Sequence, residues 1–233
     1  MSGTLFGIGL GPGDPELLTL KATRLIAACP VVAYPALPET QSMARSIAAA
    51  HISAEAEEIR LDLPMSRERA PAQAAYDTGA AQIAKALDAG RDVAFLCEGD
   101  PLFYGSFMYL HARLSNTHTV EVIPGVASVM ASAARAALPL AARNEVFTVL
   151  PAPMDDDALR SRLGQADSIA IMKLGRHLPR IRALLAELGL TNHAQYIERA
   201  TLPTEHITPL EHAPDSAPYF SMILVVKGAD PWL

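Results

Sequence analysis

Two kinds of apolar pattern alternate along the first half of the chain. Runs rich in β-branched and other apolar residues, which are typical of strands, occur at TLFGIG, PVVAYPAL, DVAFLC and HTVEVI. Between the first two runs, apolar residues repeat at the helical spacing i, i+4, i+7 and i+8, at Leu18, Ala22, Leu25 and Ile26. Strands that alternate with helices in this way predict an α/β fold, in which helices cover a sheet that contains parallel strands.

Further elements are predicted between these runs. Helices are expected near residues 42–50, 73–89 and 106–114, and another strand near residues 57–61. The polar segment PMSRERAPAQ predicts an exposed loop, and Pro35 is expected to end the second strand. Asp14 followed by Pro15 predicts the capped start of the first helix.

The second half of the chain has a different order of elements. EVFTVLPA, SIAIMKL, AQYIERA and YFSMILVVKG are strand candidates, and helices are predicted near residues 157–163 and 179–188. We therefore expect two α/β domains, residues 1–124 and 125–233, with the boundary near Pro124 and Gly125.

The composition of the chain argues against several classes of function. The 233-residue chain is half hydrophobic and has a formal net charge of −6, which argues against a nucleic-acid partner. Cys29 and Cys97 lie far apart in apolar stretches, which predicts buried, reduced thiols in a cytoplasmic protein and no metal site. The N-terminus lacks a basic signal-peptide region, and the weakly charged run at residues 125–142 is broken by Pro139, so no membrane partner is expected.

Three glycine-containing loops follow predicted strands, where α/β proteins bind ligands. The first, GIGLGPGDP, superficially resembles a dinucleotide-binding loop. However, Asp14 would repel a pyrophosphate at the helix start, and the Lys-Ser/Thr pair of a phosphate-binding loop is absent. A tight structural turn and a backbone wall for another ligand both remain open.

The other two loops are EGDPLFYGS and IPGVAS. Glu98 and Asp100 at a strand end can cap a helix, or they can form an edge for a ribose or a sulfonium group, since cationic sulfur tolerates acidic surroundings. The small residues after Pro124 fit either a buried helix or a backbone that packs against a flat ligand. Each loop alone is compatible with a structural role.

Together, these segments resemble the tetrapyrrole (corrin/porphyrin) methylase family of S-adenosylmethionine-dependent methyltransferases. The matching stretches are GIGLGPGDPELLTLKA, GRDVAFLCEGDPLFYGSF, VIPGVAS and PYFSMILVV, and they span nearly the whole chain. The resemblance implies two α/β domains with S-adenosylmethionine in the cleft between them, a tetrapyrrole trough lined by the first domain, and a homodimer. GDPLFYGSFMYL, IMKLGRHL and PYFSMILV favour the branch that methylates carbon 20 of precorrin-2 in cobalamin biosynthesis.

The resemblance also implies which residues contact the methyl donor. By position these are Pro12, Glu98, Gly99, Asp100, Val126, Ala127, Ser128, Met172, Ala200 and Met222. Ala127 stands where many relatives carry Ser or Thr, so a side-chain hydroxyl contact is not expected at that point. From its residue type alone, Met172 is equally compatible with an ordinary core methionine.

Substrate contacts are expected from the first loop and from basic side chains. The first-loop residues are Gly11, Gly13 and Asp14. Arg143, Lys173 and Arg176 are expected to bind the carboxylates of the tetrapyrrole in spite of the net negative charge. Arg67 and Arg69 can add to this set, although a solvated surface role is favoured for both. The general base has three candidates, namely Tyr104, Glu98 and Asp100.

Other functions are compatible with parts of the pattern. A methylase acting on another corrin carbon, on uroporphyrinogen III or on the cobalt-containing ring would use the same fold, and the metal-free ring is favoured. A nucleotide-binding oxidoreductase built on the first glycine loop and a binding module without catalysis are alternatives from other classes.

Overall fold

The structure, a computed structural model, describes residues 2–64 and 68–228. The chain divides into two compact units, residues 1–128 and 129–233. This division falls four residues after the Pro124–Gly125 turn, where the sequence pattern placed a boundary. Each unit has its own five-stranded sheet.

The first unit alternates strands with helices. Its strands are β1 Thr4–Gly9, β2 Val31–Ala36, β3 Glu57–Asp62, β4 Val93–Cys97 and β5 Thr119–Ile123. Its helices are α1 Leu20–Ala28, α2 Met43–Ala48, α3 Arg69–Asp88 and α4 Phe107–Leu114. This is the predicted α/β order.

The sheet of the first unit has the strand order β3-β2-β4-β1-β5, and all of its strand pairs are parallel. One face packs against α3 and α4 in a cluster that includes Phe95 and Phe107. The other face packs against α1 and α2 in a cluster that includes Ile26 and Leu96. Because both faces are covered, β2 and β4 are buried along their whole length, which explains their continuous apolar sequences.

The positions of Pro35 and Asp14 differ from the sequence prediction. Pro35 lies inside β2 rather than at its end; the pairing of β2 with β4 stops at Ala33, so the missing N–H of Pro35 is not needed there. Asp14 caps only the short 3₁₀ turn Pro15–Leu17. The first α-helix begins later, where the Thr19 hydroxyl accepts a hydrogen bond from the N–H of Ala22 (3.1 Å).

Part of the predicted loop PMSRERAPAQ is helical, and its residues 65–67 lie outside the described residues. The helix α3 begins at Arg69, so the second part of this polar segment is helical. Pro71 lies in the first turn of α3, where its missing N–H costs no helical hydrogen bond.

The second unit begins with a helix. Its helices are α5 Ser128–Arg135, which starts on the last residue of the first unit, α6 Asp156–Gln165 and α7 Leu178–Glu187. Its strands are β6 Phe147–Pro151, β7 Ser168–Met172, β8 Ala194–Glu198, β9 His206–Pro209 and β10 Ser221–Val226. The sequence pattern did not predict β9, a four-residue edge strand whose two end residues are exposed.

The sheet of the second unit has the order β6-β7-β10-β8-β9. Only β6 and β7 are parallel, and β10 runs antiparallel to both of its neighbours. One face packs against α6 and α7 around Tyr196 and Ile223, and the other packs against α5 around Ala170 and Leu224. In the described part of the chain, no helix is both long enough and apolar enough to cross a membrane.

Candidate functional site

The carboxyl ends of β4, β1 and β5 lie side by side in the first sheet. In the strand register Gly9 pairs with Cys97, and Ile8 pairs with Ile123, so the three strands end at nearly the same level. The loops that follow them are residues 10–14, 98–106 and 124–127. All three glycine loops of the sequence analysis therefore start at one edge of this sheet, as expected for a ligand site.

Glycine is required where these loops touch. A Cβ atom on Gly125 would lie 2.2 Å from the carbonyl oxygen of Gly99, and a Cβ atom on Gly9 would lie 2.5 Å from the amide nitrogen of Gly125. Both distances are far shorter than a van der Waals contact, so the loops pack backbone against backbone. We call this group of three residues the glycine contact.

A pair of backbone hydrogen bonds joins the first loop to the second. The N–H of Gly99 donates to the carbonyl of Gly11 (2.7 Å), and the N–H of Gly11 donates to the carbonyl of Gly99 (3.2 Å). Both residues have left-handed backbone, with φ of +76° at Gly11 and +68° at Gly99. In the described part of the chain, a Cβ on Gly99 would meet only the amide nitrogen of Ser128, at 3.9 Å, which leaves this side of the backbone open to a ligand.

Asp100 connects the second loop to the third. One carboxylate oxygen accepts a hydrogen bond from the N–H of Leu102 (3.0 Å), and the other accepts one from the N–H of Gly125 (3.2 Å). Because both oxygens are bound to backbone, the geometry gives Asp100 a role in fixing the loops.

Glu98 has a different environment from Asp100. Its side chain is half-buried at the end of β4. Desolvation raises the pKa of the Glu98 carboxyl above its usual range, and hydrogen bonds from backbone N–H groups, including that of Ala44 at the start of α2, oppose this shift only in part. A carboxylate with a raised pKa is a better proton acceptor than an ordinary one.

Tyr104 lies on an exposed apolar tip of the second loop. Its backbone is left-handed (φ +56°), its side chain is 43% exposed, and its ring packs edge-on against Phe103 at 5.2 Å between centroids. Leu102 is also exposed. We call residues 102–104 the apolar tip.

The carboxylate of Asp14 already binds a backbone N–H that a pyrophosphate would need. Its carboxylate accepts a hydrogen bond from the N–H of Glu16 (2.9 Å) at the start of the 3₁₀ turn. Pro12 offers no N–H, and its side chain is half-buried. Neither Pro12 nor Glu16 therefore offers a free N–H to a pyrophosphate, which disfavours a dinucleotide site at this loop.

The third loop leads from Gly125 into α5. Val126, Ala127 and Ser128 are all half-buried, and Ser128 is the first residue of the helix. These residues follow the glycine contact directly, so the structure places them at the same edge of the first sheet as Glu98 and Gly99.

Both cysteines are buried, as predicted, and neither is bonded to the other. Burial raises the pKa of Cys97 and raises that of Cys29 to about 12, so both thiols stay protonated at neutral pH. Across residues 2–64 and 68–228, no group of three or more His, Cys, Asp and Glu side chains is arranged to hold a metal ion.

In the second unit, three predicted donor contacts lie together. Met222 pairs with Met172 on one neighbouring strand and with Ile197 on the other. Ala200 follows the carboxyl end of β8, and Ala200, Met172 and Met222 pack in the same apolar cluster. Residues far apart in the sequence therefore meet at one edge of the second sheet.

The predicted substrate-binding cations are exposed. Lys173 follows β7 directly, and Arg176 lies in the 3₁₀ turn that comes after it. Desolvation lowers the pKa of His177 in the same turn, and the positive charges of Arg176 and Arg180 lower it further. Arg143 is exposed before β6.

The two weaker cation candidates are Arg69 and Arg67. Arg69 is an exposed residue at the first position of α3. Arg67 lies outside the described residues.

The turn after β8 has an unusual backbone that the sequence pattern did not predict. Arg199 and Thr201 both have left-handed backbone, with φ of +48° and +71°, on either side of Ala200. Left-handed residues that carry a Cβ are uncommon and cluster at functional sites. No glycine or asparagine marks this turn in the sequence, so the turn has no local signal.

Similar proteins of known activity match over nearly the full chain. A precorrin-2 C(20)-methyltransferase from Sinorhizobium sp is 42% identical, over 98% of this chain and 97% of that protein. The cobalt-precorrin-2 C(20)-methyltransferase of Salmonella typhimurium is 33% identical, over 97% of this chain and 98% of that protein.

A solved structure confirms the fold. The uroporphyrin-III C-methyl transferase of Thermus thermophilus, complexed with S-adenyl homocysteine, has a TM-score of 0.70 at 24% identity, over 97% of this chain and 98% of that one. Residues 4–214 match the family described as Tetrapyrrole (Corrin/Porphyrin) Methylases. The resemblance drawn from the glycine loops is confirmed: the chain belongs to the tetrapyrrole (corrin/porphyrin) methylase family.

Proposed function

We propose that this protein transfers the methyl group of S-adenosylmethionine to carbon 20 of precorrin-2, giving precorrin-3A in cobalamin biosynthesis. The observation that carries this function is the 42% identity with a precorrin-2 C(20)-methyltransferase over almost all of both chains. The relative named for the cobalt-containing ring is 33% identical. We therefore favour the metal-free ring as the substrate.

The edge of the first sheet fits S-adenosylmethionine better than a dinucleotide. The amide of Glu16 is already bound by Asp14, which disfavours a pyrophosphate. The carboxylates of Glu98 and Asp100 suit a cationic sulfonium group. The open side of Gly99 allows a ligand to approach the backbone closely. When bound, S-adenosylmethionine supplies a methyl group that its positive sulfur has already activated.

The donor contacts proposed from the family resemblance form one set in each unit. In the first unit they are Pro12, Glu98, Gly99, Asp100, Val126, Ala127 and Ser128. In the second unit they are Met172, Ala200 and Met222, which share one apolar cluster.

The main tasks of the protein are to align the two reactants and to exclude water. A reduced tetrapyrrole is electron-rich, and the methyl group is already activated, so correct placement supplies most of the rate enhancement. The apolar tip offers Leu102, Phe103 and Tyr104 to a flat ring. We assign the tip to packing against the tetrapyrrole.

We propose Glu98, of the three candidate bases, as the group that takes the proton from the methylated carbon. Both oxygens of Asp100 are bound to backbone N–H groups, and Tyr104 lies on the exposed apolar tip. Burial gives Glu98 a raised pKa, so its carboxylate accepts a proton more readily than that of an exposed glutamate.

The carboxylates of the tetrapyrrole require local positive charge in a protein of net charge −6. Arg143, Lys173 and Arg176 are exposed, and we propose that they bind these carboxylates. Gly11, Gly13 and Asp14 are proposed to face the ring.

We also propose that the protein is a cytoplasmic homodimer. Light scattering of the purified protein tests its oligomeric state.

The deciding experiment is a methylation assay with enzymatically made precorrin-2, run in parallel with its cobalt complex. We expect one added methyl group by mass spectrometry, assigned to carbon 20 by NMR, with faster turnover of the metal-free ring. A methyl group on another carbon would overturn the assignment to carbon 20. Tight binding of S-adenosylmethionine without any turnover would identify a binding module.

Titration calorimetry separates the proposal from the oxidoreductase alternative. We expect heat of binding with S-adenosylmethionine and S-adenosylhomocysteine, and none with NAD. Binding of NAD alone would contradict the proposed cofactor.

A further inference from the structure

The turn after β8 is held by contacts that the proposed function does not use. The N–H of Arg199 donates to the carbonyl of Phe220 (2.8 Å), and the N–H of Leu202 donates to the carbonyl of Arg199 (2.9 Å). Thr201 has a left-handed backbone, and its N–H donates to the carboxylate of Glu205 (2.7 Å). Glu205 is thus the side chain that fixes the second of the two unfavourable backbone conformations.

Arg135 at the end of α5 in turn fixes Glu205. Its Nε donates to both carboxylate oxygens, at 2.9 and 3.0 Å, and its Nη2 donates to one of them at 2.8 Å. The side chain of Glu205 is only 14% exposed. The hydrogen bonds from Arg135 hold the pKa of Glu205 below its usual range, so the carboxylate is ionised at neutral pH.

A half-buried carboxylate with this many donors is strongly oriented. Hydrogen bonds between charged groups are stronger than neutral ones, and each partner limits the rotation of the other. Glu205 therefore connects the helix α5 to the turn that carries Ala200: its carboxylate binds the side chain of Arg135 at one end and the backbone N–H of Thr201 at the other.

We propose that Glu205, anchored by Arg135, is a positioning residue for the methyl donor. It holds Thr201 in the left-handed conformation, which presents Ala200 to the donor beside Met172 and Met222. This inference rests on the proposed placement of the donor at these three residues, and neither Glu205 nor Arg135 belongs to the donor contacts themselves.

The test compares Glu205→Ala with Glu187→Ala. Glu187 pairs with Arg160 at 2.9 Å between α7 and α6 of the same unit, so its loss removes an Arg–Glu ion pair and none of the hydrogen bonds described above for the turn. For Glu205→Ala we expect the Kd for S-adenosylhomocysteine and the KM for S-adenosylmethionine to rise about tenfold, with kcat at saturating donor within about threefold of wild type. For Glu187→Ala we expect no change in either constant.

A second variant separates positioning from stability alone. In Glu205→Ala/Thr201→Gly, glycine adopts the left-handed conformation without a partner, so we expect most of the lost affinity for S-adenosylhomocysteine to return. In Glu205→Gln, the amide oxygen still accepts from the N–H of Thr201, and we expect a loss of about threefold. Thermal unfolding of every variant shows whether it is folded at the assay temperature.

Two results would overturn the inference while leaving the proposed function intact. One is a wild-type Kd for S-adenosylhomocysteine in folded Glu205→Ala. The other is a Glu205→Ala/Thr201→Gly protein that binds no better than the single variant. Failure of the wild-type protein itself to bind S-adenosylhomocysteine would instead reject the proposed function.

Discussion

The two sheet edges that carry the proposed donor contacts are constructed in different ways. At the edge of the first sheet, Gly9, Gly99 and Gly125 bring three loops into backbone contact, and no side chain could be added at Gly9 or Gly125. At the edge of the second sheet, side chains fix a turn in which Arg199 and Thr201 adopt the conformation that glycine prefers. At the first edge the closest backbone contacts require that side chains be absent, and the carboxylate of Asp100 adds hydrogen bonds from backbone N–H groups there. At the second edge the conformation of Thr201 depends on a bond to a side chain.

This difference predicts that an added side chain disrupts the first edge and that a removed side chain disrupts the second. The largest effect is expected for Gly125→Ala. The added Cβ would lie 2.2 Å from the carbonyl oxygen of Gly99 and must push the loops apart. We expect a loss of about 3 kcal/mol in the free energy of unfolding and at least about 100-fold in the affinity for S-adenosylhomocysteine. Urea unfolding and titration calorimetry measure the two quantities.

Gly164→Ala is the matched control for this variant. Gly164 lies in the last turn of α6, and a Cβ there would meet nothing within 4 Å. We expect a gain of about 0.5 kcal/mol and unchanged ligand affinity. Equal ligand affinity in the Gly125→Ala and Gly164→Ala proteins would show that the glycine contact does not shape the site.

The next largest effect is expected for Glu98→Gln, which keeps the shape of the first edge and removes its proton acceptor. We expect kcat to fall about 100-fold with little change in the Kd for S-adenosylhomocysteine. In the wild type, activity should fall as the pH decreases through the raised pKa of Glu98. An unchanged kcat in Glu98→Gln would remove this residue as the base.

The same substitution is expected to increase stability at neutral pH. Because burial raises the pKa of Glu98, the folded protein binds this proton more tightly than the unfolded chain does. The free energy of unfolding therefore falls as the pH rises from the ordinary carboxyl range through the raised pKa. Glu98→Gln does not lose stability in this way, so its free energy of unfolding should exceed that of the wild type at pH 7. The difference should disappear in strong acid, and thermal unfolding measures it.

Charge reversal in the second unit should affect a different ligand. For Arg176→Glu we expect the KM for the tetrapyrrole to rise about tenfold, because an attraction for its carboxylates becomes a repulsion, with unchanged affinity for S-adenosylhomocysteine. Arg162→Glu, at an exposed position of α6, is the charge-matched control. If both variants raise the KM equally, the effect comes from net charge and not from a contact of Arg176.

The smallest expected effect is a gain in stability from Ala137→Gly. Ala137 is exposed just after α5 and has φ of +53°, which is unfavourable for alanine. We expect about 0.5 kcal/mol of added stability by urea unfolding. Ala134→Gly, inside α5, should lose about 1 kcal/mol. Equal losses in the two variants would contradict the assigned backbone conformation.

The first edge could be predicted from the sequence because its constraints are local. Glycine and proline mark each of the three loops, and the apolar runs before them predict the strands. The family resemblance then supplied the residues of each loop. The errors in this region concern boundaries: Pro35 is tolerated inside β2, and Thr19 rather than Asp14 caps the first α-helix.

The second edge could be predicted only through the resemblance. Met172, Ala200 and Met222 meet because β10 inserts between β7 and β8, a pairing that no local pattern specifies. The bond from Thr201 to Glu205 stabilises a left-handed residue whose identity gives no warning of its conformation. Such contacts depend on tertiary packing, so composition and periodicity do not reveal them.

The parallel pairing of β1 with both β4 and β5 limits how the first edge can change. Side chains alternate between the two faces of the sheet, so a shift of one residue in any of these strands would turn its whole apolar set toward the wrong helices. The positions of the three loops along the strand direction therefore cannot change by small steps. Core substitutions in this sheet should reduce the fraction of protein that folds, while each molecule that does fold keeps the Michaelis constants of the parent.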